Sequence, residues 1–303
     1  MQPTPRLLTP PREQDIVYPY RRVWRSITIE GILLLLVTVA FYVAVNLLGF
    51  TFPSIIRPFI NAGLALLPLL FWLVFSYLPE RRVDQPRERL LMVLVVTALV
   101  ANAVGIPLLD RTLQIDNWLS LSSPLDRIIG YAFTVGVLQE TLKYVVVRTF
   151  TWPYIIRTPL DAVAYGAASA VGYLTVAGLH FSLSGGTTLP SPEVVATRVF
   201  SLAALHLSAS TLVAYGLAAS RFRTGPVIVL PLSLILACLL TGIAIPLRTG
   251  LVNAGFTQGV GAPNTLLGLG LSIGIYGAPI IIASFLFSAQ SQREREAAAS
   301  RET

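Results

Sequence analysis

The chain has 303 residues, 54% of them apolar and only 12% charged, with a formal net charge of +7. Soluble domains carry roughly a quarter charged residues, and a water-soluble fold of this size could not hide so much apolar surface, so the solvent for most of the chain is lipid. The basic excess comes without the aromatic or groove-reading elements that a nucleic-acid partner requires, so no nucleic acid is expected.

Residues 1–25 form a basic, proline-containing segment with Arg6, Arg12, Arg21, Arg22 and Arg25 and no apolar h-region. No cleaved signal peptide is expected there, and the first span would act as an uncleaved signal-anchor. A helix rising about 1.5 Å per residue needs roughly 20 apolar residues to cross a hydrocarbon core of about 30 Å. Eight stretches approach this: 26–50, 59–78, 90–109, 126–150, 160–183, 194–220, 227–247 and 266–289. The third is interrupted in its second half by Asn102, Gly105 and Pro107. No backbone group can stay unpaired in lipid, so the expected fold is all-α, a polytopic transmembrane bundle of about eight spans over 26–289. A charged tail, 290–303, follows it.

Orientation comes from the arginines, which stay on the cytoplasmic side. Arg81, Arg82, Arg87 and Arg89 follow the second span, Arg148 and Arg157 flank the connection after the fourth, and Arg221 and Arg223 follow the sixth. Arg293, Arg295 and Arg301 lie in the tail. Every alternate connection is arginine-rich, so both termini are expected in the cytoplasm and the protein in the plasma membrane, with lipids as its first partners. Cys238 is the single cysteine, which rules out an intramolecular disulfide and a cysteine metal cluster. In the last span Gly270 and Gly274 have the spacing of a close helix contact, expected within the monomer rather than between copies.

Ionisable groups inside spans are costly, and are commonly functional or paired. The fourth span holds Gln139, Glu140 and Lys143 about midway. Glu140 and Lys143, three apart, share a helix face with the acid N-terminal to the base, the favourable order. Lys143 is the only lysine in a chain that otherwise uses arginine, which argues for an ammonium needed at that place. The fifth span opens with Asp161 and Tyr165 and continues through a run of small residues, Gly166 to Gly172, suited to close helix packing. Asp161 fits a helix N-terminal role as well as a functional one. The sixth span carries Arg198 and, two turns on, His206 with Ser210 beyond it; His180 near the end of the fifth reads as a packing residue. A carboxylate, a lysine and a histidine at similar depth make an acid–base set.

These residues resemble the PrsW family of intramembrane proteases, relatives of the type II CAAX prenyl endopeptidase (Abi) superfamily, over about residues 130–220. The family pattern is E-E-x-x-K, then D-G-x-x-Y-G leading into G-F-A-x-x-E-N, then R-x7-H. The chain reads Gln139-Glu140-Thr141-Leu142-Lys143, then Asp161-Ala162-Val163-Ala164-Tyr165-Gly166 running on to Gly172-Tyr173-Leu174, then Arg198 and His206 with seven residues between. Gln139 stands for the first glutamate of the pair, and Ala177-Gly178 for the later Glu-Asn.

The resemblance implies an endopeptidase cutting a single-span or membrane-adjacent protein from a cavity among the fourth to sixth spans. Glu140 would activate water, His206 would stabilise the oxyanion or pass a proton to the leaving amine, and Lys143 would keep Glu140 ionised. Gln139, Tyr165 and Arg198 would support the site, and Asp161 would anchor a cytoplasmic-side network with Arg157. Proteases of this family are read both as metal-dependent and as glutamic-type. Two distant histidines and one obvious carboxylate make a poor zinc site, so no metal or other cofactor is expected, with metal dependence left open. Three function classes remain open: an active protease, a family member that binds membrane peptides without cutting them, and a transporter or channel.

Overall fold

The structure is a computed structural model, described over residues 23–83, 86–119, 122–183, 189–222, 226–247 and 265–302; most of the basic segment 1–25 lies outside them. Among the described residues there are helices and no strands. We number them α1 (Val23–Leu47), α2 (Arg57–Glu80), α3 (Leu90–Leu113), α4 (Ile115–Leu119), α5 (Pro124–Tyr131 and Val137–Thr151, joined by Ala132–Gly136), α6 (Pro159–Leu183), α7 (Pro192–Phe222), α8 (Val229–Leu247) and α9 (Thr265–Glu302). The protein is an all-α polytopic membrane bundle.

Seven of these helices, α1, α2, α3, α6, α7, α8 and α9, are long and apolar enough to cross a membrane. The expected fourth span, α5, is helical along its length but is not among the seven, because Asp126, Arg127, Glu140, Lys143 and Arg148 lower its apolarity. It is the helix that carries Glu140 and Lys143, and it meets α8, α6 and α3 instead of relying on lipid contact alone.

The layers follow from burial. In α6 and α7, 78% and 89% of the most apolar window is buried, against 28% to 44% in the other five. These two therefore form the centre, packed on each other. Helices α8, α9, α1 and α2 close around α7, and α3 and α2 around α6. The small residues of α6 make this possible: a Cβ on Gly172 would lie 2.3 Å from the Leu94 carbonyl oxygen of α3. Lipid gives helices no hydrophobic reason to associate, so close packing and hydrogen bonds between helices hold the bundle. Thr97 donates to Ser169 at 3.1 Å between α3 and α6, and Ser208 to the Ile275 carbonyl at 2.8 Å between α7 and α9. Ser76 donates to Glu30 at 2.8 Å between α2 and α1. Gly270 and Gly274, by contrast, face open space; among the described residues the expected packing of that pair within the monomer is not found, since no described helix comes within contact of them.

Two features place the site. First, α3 and α5 are broken by π-helical turns at Ala101–Gly105, Leu108–Leu113 and Ala132–Gly136; such turns add a residue and re-aim the side chains around them. Second, the arginines gather at one end of the bundle. Arg87 pairs with Asp161, Arg89 donates to the Phe150 carbonyl, and Arg221 to the Pro153 carbonyl. At the opposite end α5 and α7 begin and α6 ends.

Candidate active site

Lys143 is at the centre of the polar cluster. Its Nζ lies 2.8 Å from Glu140 Oε1, 3.1 Å from Ser210 Oγ and 3.4 Å from His206 Nδ1. All four residues are buried. The pairing of Glu140 with Lys143 follows from helix geometry, since residues three apart on α5 face the same way. His206 and Ser210, one turn apart on α7, present a second matching edge. An ammonium beside Nδ1 makes that nitrogen the acceptor, so the imidazole is the neutral tautomer with its hydrogen on Nε2. Glu140 Oε1 also accepts from Thr241 of α8 at 3.4 Å, while Oε2 accepts no hydrogen bond from the described protein.

A cavity of about 440 Å³ opens beyond this cluster, towards the end of the bundle opposite the arginines. Gln139, Tyr173, Ala177, Arg198 and His206 line it, with His180 and Asp110. The Tyr173 ring leans on His206 with centroids 5.0 Å apart, and its hydroxyl takes the space that Gly105 leaves on α3. The Gln139 amide sits beside that hydroxyl. Neither Gln139 Oε1 nor the Tyr173 hydroxyl reaches hydrogen-bonding geometry with a described protein group. Arg198 lies over the Phe181 ring at 5.0 Å. At the rim His180 Nε2 and Asp110 Oδ2 are 2.7 Å apart, each side chain about half exposed, so His180 partners a carboxylate at the cavity mouth.

The expected convergence on one cavity needs correction. Glu140 and Lys143 do not line the large cavity; they border a void of about 20 Å³ between α5, α6 and α7, with Ser169 and Ser210. His206 lines the large cavity, and its Nδ1 is the atom that reaches back to Lys143. The reason is the helical screw: neighbouring residues point about 100° apart, so Gln139 faces the cavity and Glu140 turns towards Lys143. Asp161 and Tyr165 lie elsewhere, at the arginine-rich end. Asp161 accepts from the backbone N–H groups of Arg157 and Thr158, each at 2.8 Å, and from the Thr158 hydroxyl at 2.9 Å. Asp161 thereby folds back over the first turn of α6, with Pro159 in the first helical position. Arg157 contributes its backbone; the side chain paired with Asp161 is Arg87, which also holds Glu80 at 3.3 Å. Tyr165 donates to the Glu88 carbonyl at 2.7 Å. These residues hold α2, α3 and α6 together and touch neither Glu140 nor His206.

The family comparison gives this arrangement its context. The sequence model of one family, described as PrsW family intramembrane metalloprotease, matches residues 85–272, well over half of the chain. The chain belongs to the PrsW family. No curated protein and no solved structure matches it. The matched range takes in α3 to α8, all of the cavity wall and the Glu140–Lys143–His206 cluster. PrsW membership supports a protease-like function in an integral membrane protein.

The word metalloprotease implies a metal ion, and the donor set can be tested for one. A catalytic zinc takes three protein ligands and leaves one position open. Among the described residues no three His, Cys, Asp or Glu side chains gather to hold a metal. Glu140 and His206 converge on an ammonium, which takes the place a cation would need, and His180 is engaged with Asp110. The described residues do not fit a metal ion.

Sequence reasoning gave no site role to Arg87, Tyr173, Thr241, Asp110 or the buried Glu30. Tyr173 and Glu30 carried a signal, a polar group inside an apolar span. Arg87, Thr241 and Asp110 act through partners many residues away and carried none.

Proposed function

We propose that this PrsW-family protein is an intramembrane endopeptidase that hydrolyses a peptide bond of a single-span or membrane-adjacent protein, in the plasma membrane. The observation that carries the reading is the Lys143 ammonium joining Glu140 to His206, directly behind a cavity walled by Gln139, Tyr173 and His206. The cavity volume falls in the range of ligand pockets, about 300–1,000 Å³. Gln139 Oε1 and the Tyr173 hydroxyl offer an acceptor and a donor to an extended peptide backbone.

Glu140 has one oxygen held by Lys143 and the other open to a water, and the void beside it has room for about one. For this water to attack, the substrate carbonyl must pass from the cavity beyond His206 to the void; Glu140 then takes the proton of the water as it attacks the carbonyl carbon. The His206 Nε2–H stabilises the developing oxyanion, and Glu140 then returns the proton to the leaving amine. Lys143 keeps the carboxylate ionised until that transfer.

A second reading, a family member that holds membrane peptides without cutting them, is favoured by one observation. Both positions where the chain lacks a family acid, Gln139 and Ala177, line the cavity. One experiment separates the two: purified protein in liposomes with candidate single-span substrates, fragments read by mass spectrometry. Cutting by the natural chain that is lost in Glu140→Gln, with substrate still bound, supports the protease. Cutting that persists in Glu140→Gln removes Glu140 from the role of base. Binding without fragments in both leaves the second reading.

A further inference from the structure

We propose that the arginine-rich end of the bundle holds one anionic phospholipid, with its phosphate on Arg89, Arg148 and Arg221 and an acyl chain along α5. The three arginines come from the ends of α3, α5 and α7, yet all are fixed on one short stretch of chain, residues 148–153. Arg148 lies over the Trp152 ring at 4.5 Å. Arg89 donates one N–H to the Phe150 carbonyl at 3.1 Å, and Arg221 donates one to the Pro153 carbonyl at 2.7 Å. A guanidinium has five N–H donors, so each anchored group keeps others for a ligand. Among the described residues no carboxylate pairs with any of the three. Glu80 and Asp161, acids of the same end, are held by Arg87. Three positive charges therefore gather on one stretch of chain, and their planar forks match the oxygens of a phosphate.

The surroundings select a phosphate that carries a hydrocarbon chain. Phe133, Val137 and Val145 are exposed along one side of α5, four and eight residues apart. This apolar stripe leads to the arginines, since Val145 precedes Arg148 by three residues, about 4.5 Å along the axis. Lipid tails cover such a stripe, and headgroups begin where the hydrocarbon ends. Trp152 and the exposed Tyr154 stand at that level, as aromatic rings do at the membrane boundary. A soluble phosphate ester would leave the stripe unused, whereas a phospholipid fits both parts. The bound lipid would fasten the end of α5, the helix of Glu140 and Lys143, to α3 and α7. The site lies at the end of the bundle away from the large cavity, so the inference stands apart from whether the protein cuts peptides.

The test uses the full chain, delipidated in mild detergent and titrated with phosphatidylglycerol or phosphatidylcholine of the same acyl chains. Bound lipid is counted by native mass spectrometry. Each arginine at a membrane surface adds about fivefold to the affinity for an anionic lipid, so phosphatidylglycerol should bind roughly 10- to 100-fold more tightly. Arg148→Gln should lower the preference about fivefold, Arg148→Lys should keep part of it, and the three arginines changed to Gln together should abolish it. Arg81→Gln with Arg82→Gln removes two exposed charges of the same end and should leave the preference unchanged. Glycerol phosphate, a headgroup without chains, should not displace the lipid at equal concentration. Equal binding of the two lipids overturns the inference, and so does a preference that Arg148→Gln leaves intact. A fall of the same size in the Arg81 and Arg82 variant would make the attraction diffuse, and displacement by glycerol phosphate would assign the site to a soluble phosphate; either result overturns it. If the triple variant fails to fold, Arg148→Gln carries the test, because it removes a ring contact and no hydrogen bond to a described residue.

Discussion

Replacing Lys143 with methionine keeps the length of the side chain and removes the ammonium that Glu140, Ser210 and His206 share. Glu140 Oε1 would then keep only the Thr241 hydroxyl, at 3.4 Å, in a position 1% exposed. Removing one partner of a buried ion pair typically costs about 3–5 kcal/mol, because the other charge stays buried and uncompensated. Glu140→Gln leaves the ammonium with Ser210 and the imidazole as acceptors and should cost somewhat less, about 2–4 kcal/mol. The double variant has neither charge and nearly the original volume, so it should lose no more than about 2 kcal/mol. The two single losses therefore exceed the double loss by several kcal/mol, well above the roughly 0.5 kcal/mol scatter of independent sites. Equilibrium unfolding of all four proteins in mixed detergent micelles measures this directly. Single losses that simply add would show that Glu140 and Lys143 do not act as a pair, and the account of an ammonium holding the carboxylate ionised would fall.

Gln139→Glu with Ala177→Glu places two carboxylates on the cavity wall beside His206; peptide cutting in liposomes should rise if the chain is a protease. An added intramembrane acid costs several kcal/mol unless paired, so unfolding measured on the same variant should show a loss whichever function holds. Gly172→Leu should separate α3 from α6, since even a Cβ would stand 2.3 Å from the Leu94 carbonyl oxygen; a loss of at least about 1–3 kcal/mol on unfolding is expected, and an unchanged midpoint would mean that the helices do not touch there. In a Cys238→Ala background, a cysteine at Leu183 should react with a membrane-impermeant reagent from outside and one at Arg81 only after the membrane is opened. The reverse pattern would invert the orientation.

The bundle was legible because membrane spans are written in length and apolarity, which are local properties. Even the segment that fails the apolar criterion, α5, was readable from its run length, and its charges were the pointer to the site. Spacing along single helices was legible too: Glu140 with Lys143, and His206 with Ser210. What each helix faces was not. Nothing in the sequence says that Gln139 turns to the cavity while Glu140 turns away, that Asp161 finds Arg87 from 74 residues away, or that Asp110 reaches His180. Those facts depend on how helices dock, and docking is set by small residues such as Gly105 and Gly172 whose partners lie on other segments. Asp161 and Tyr165 entered as supporting residues through a shared family motif, Asp161 as the anchor of a cytoplasmic-side network. The structure places them at the other end of α6, where they tie connections together.

The π turn at Ala132–Gly136 has a consequence for how such a site can change over time. It adds one residue to α5 ahead of the site, and one residue in a helix is a rotation of about 100°. Deleting a single residue from that turn would advance the register of everything after it and bring Glu140 to the place on the cavity wall that Gln139 holds now. An insertion would bring Leu138 there and close the wall with an apolar side chain. One codon lost in that turn would thus exchange an amide for an acid at the cavity, with no substitution at position 139 itself.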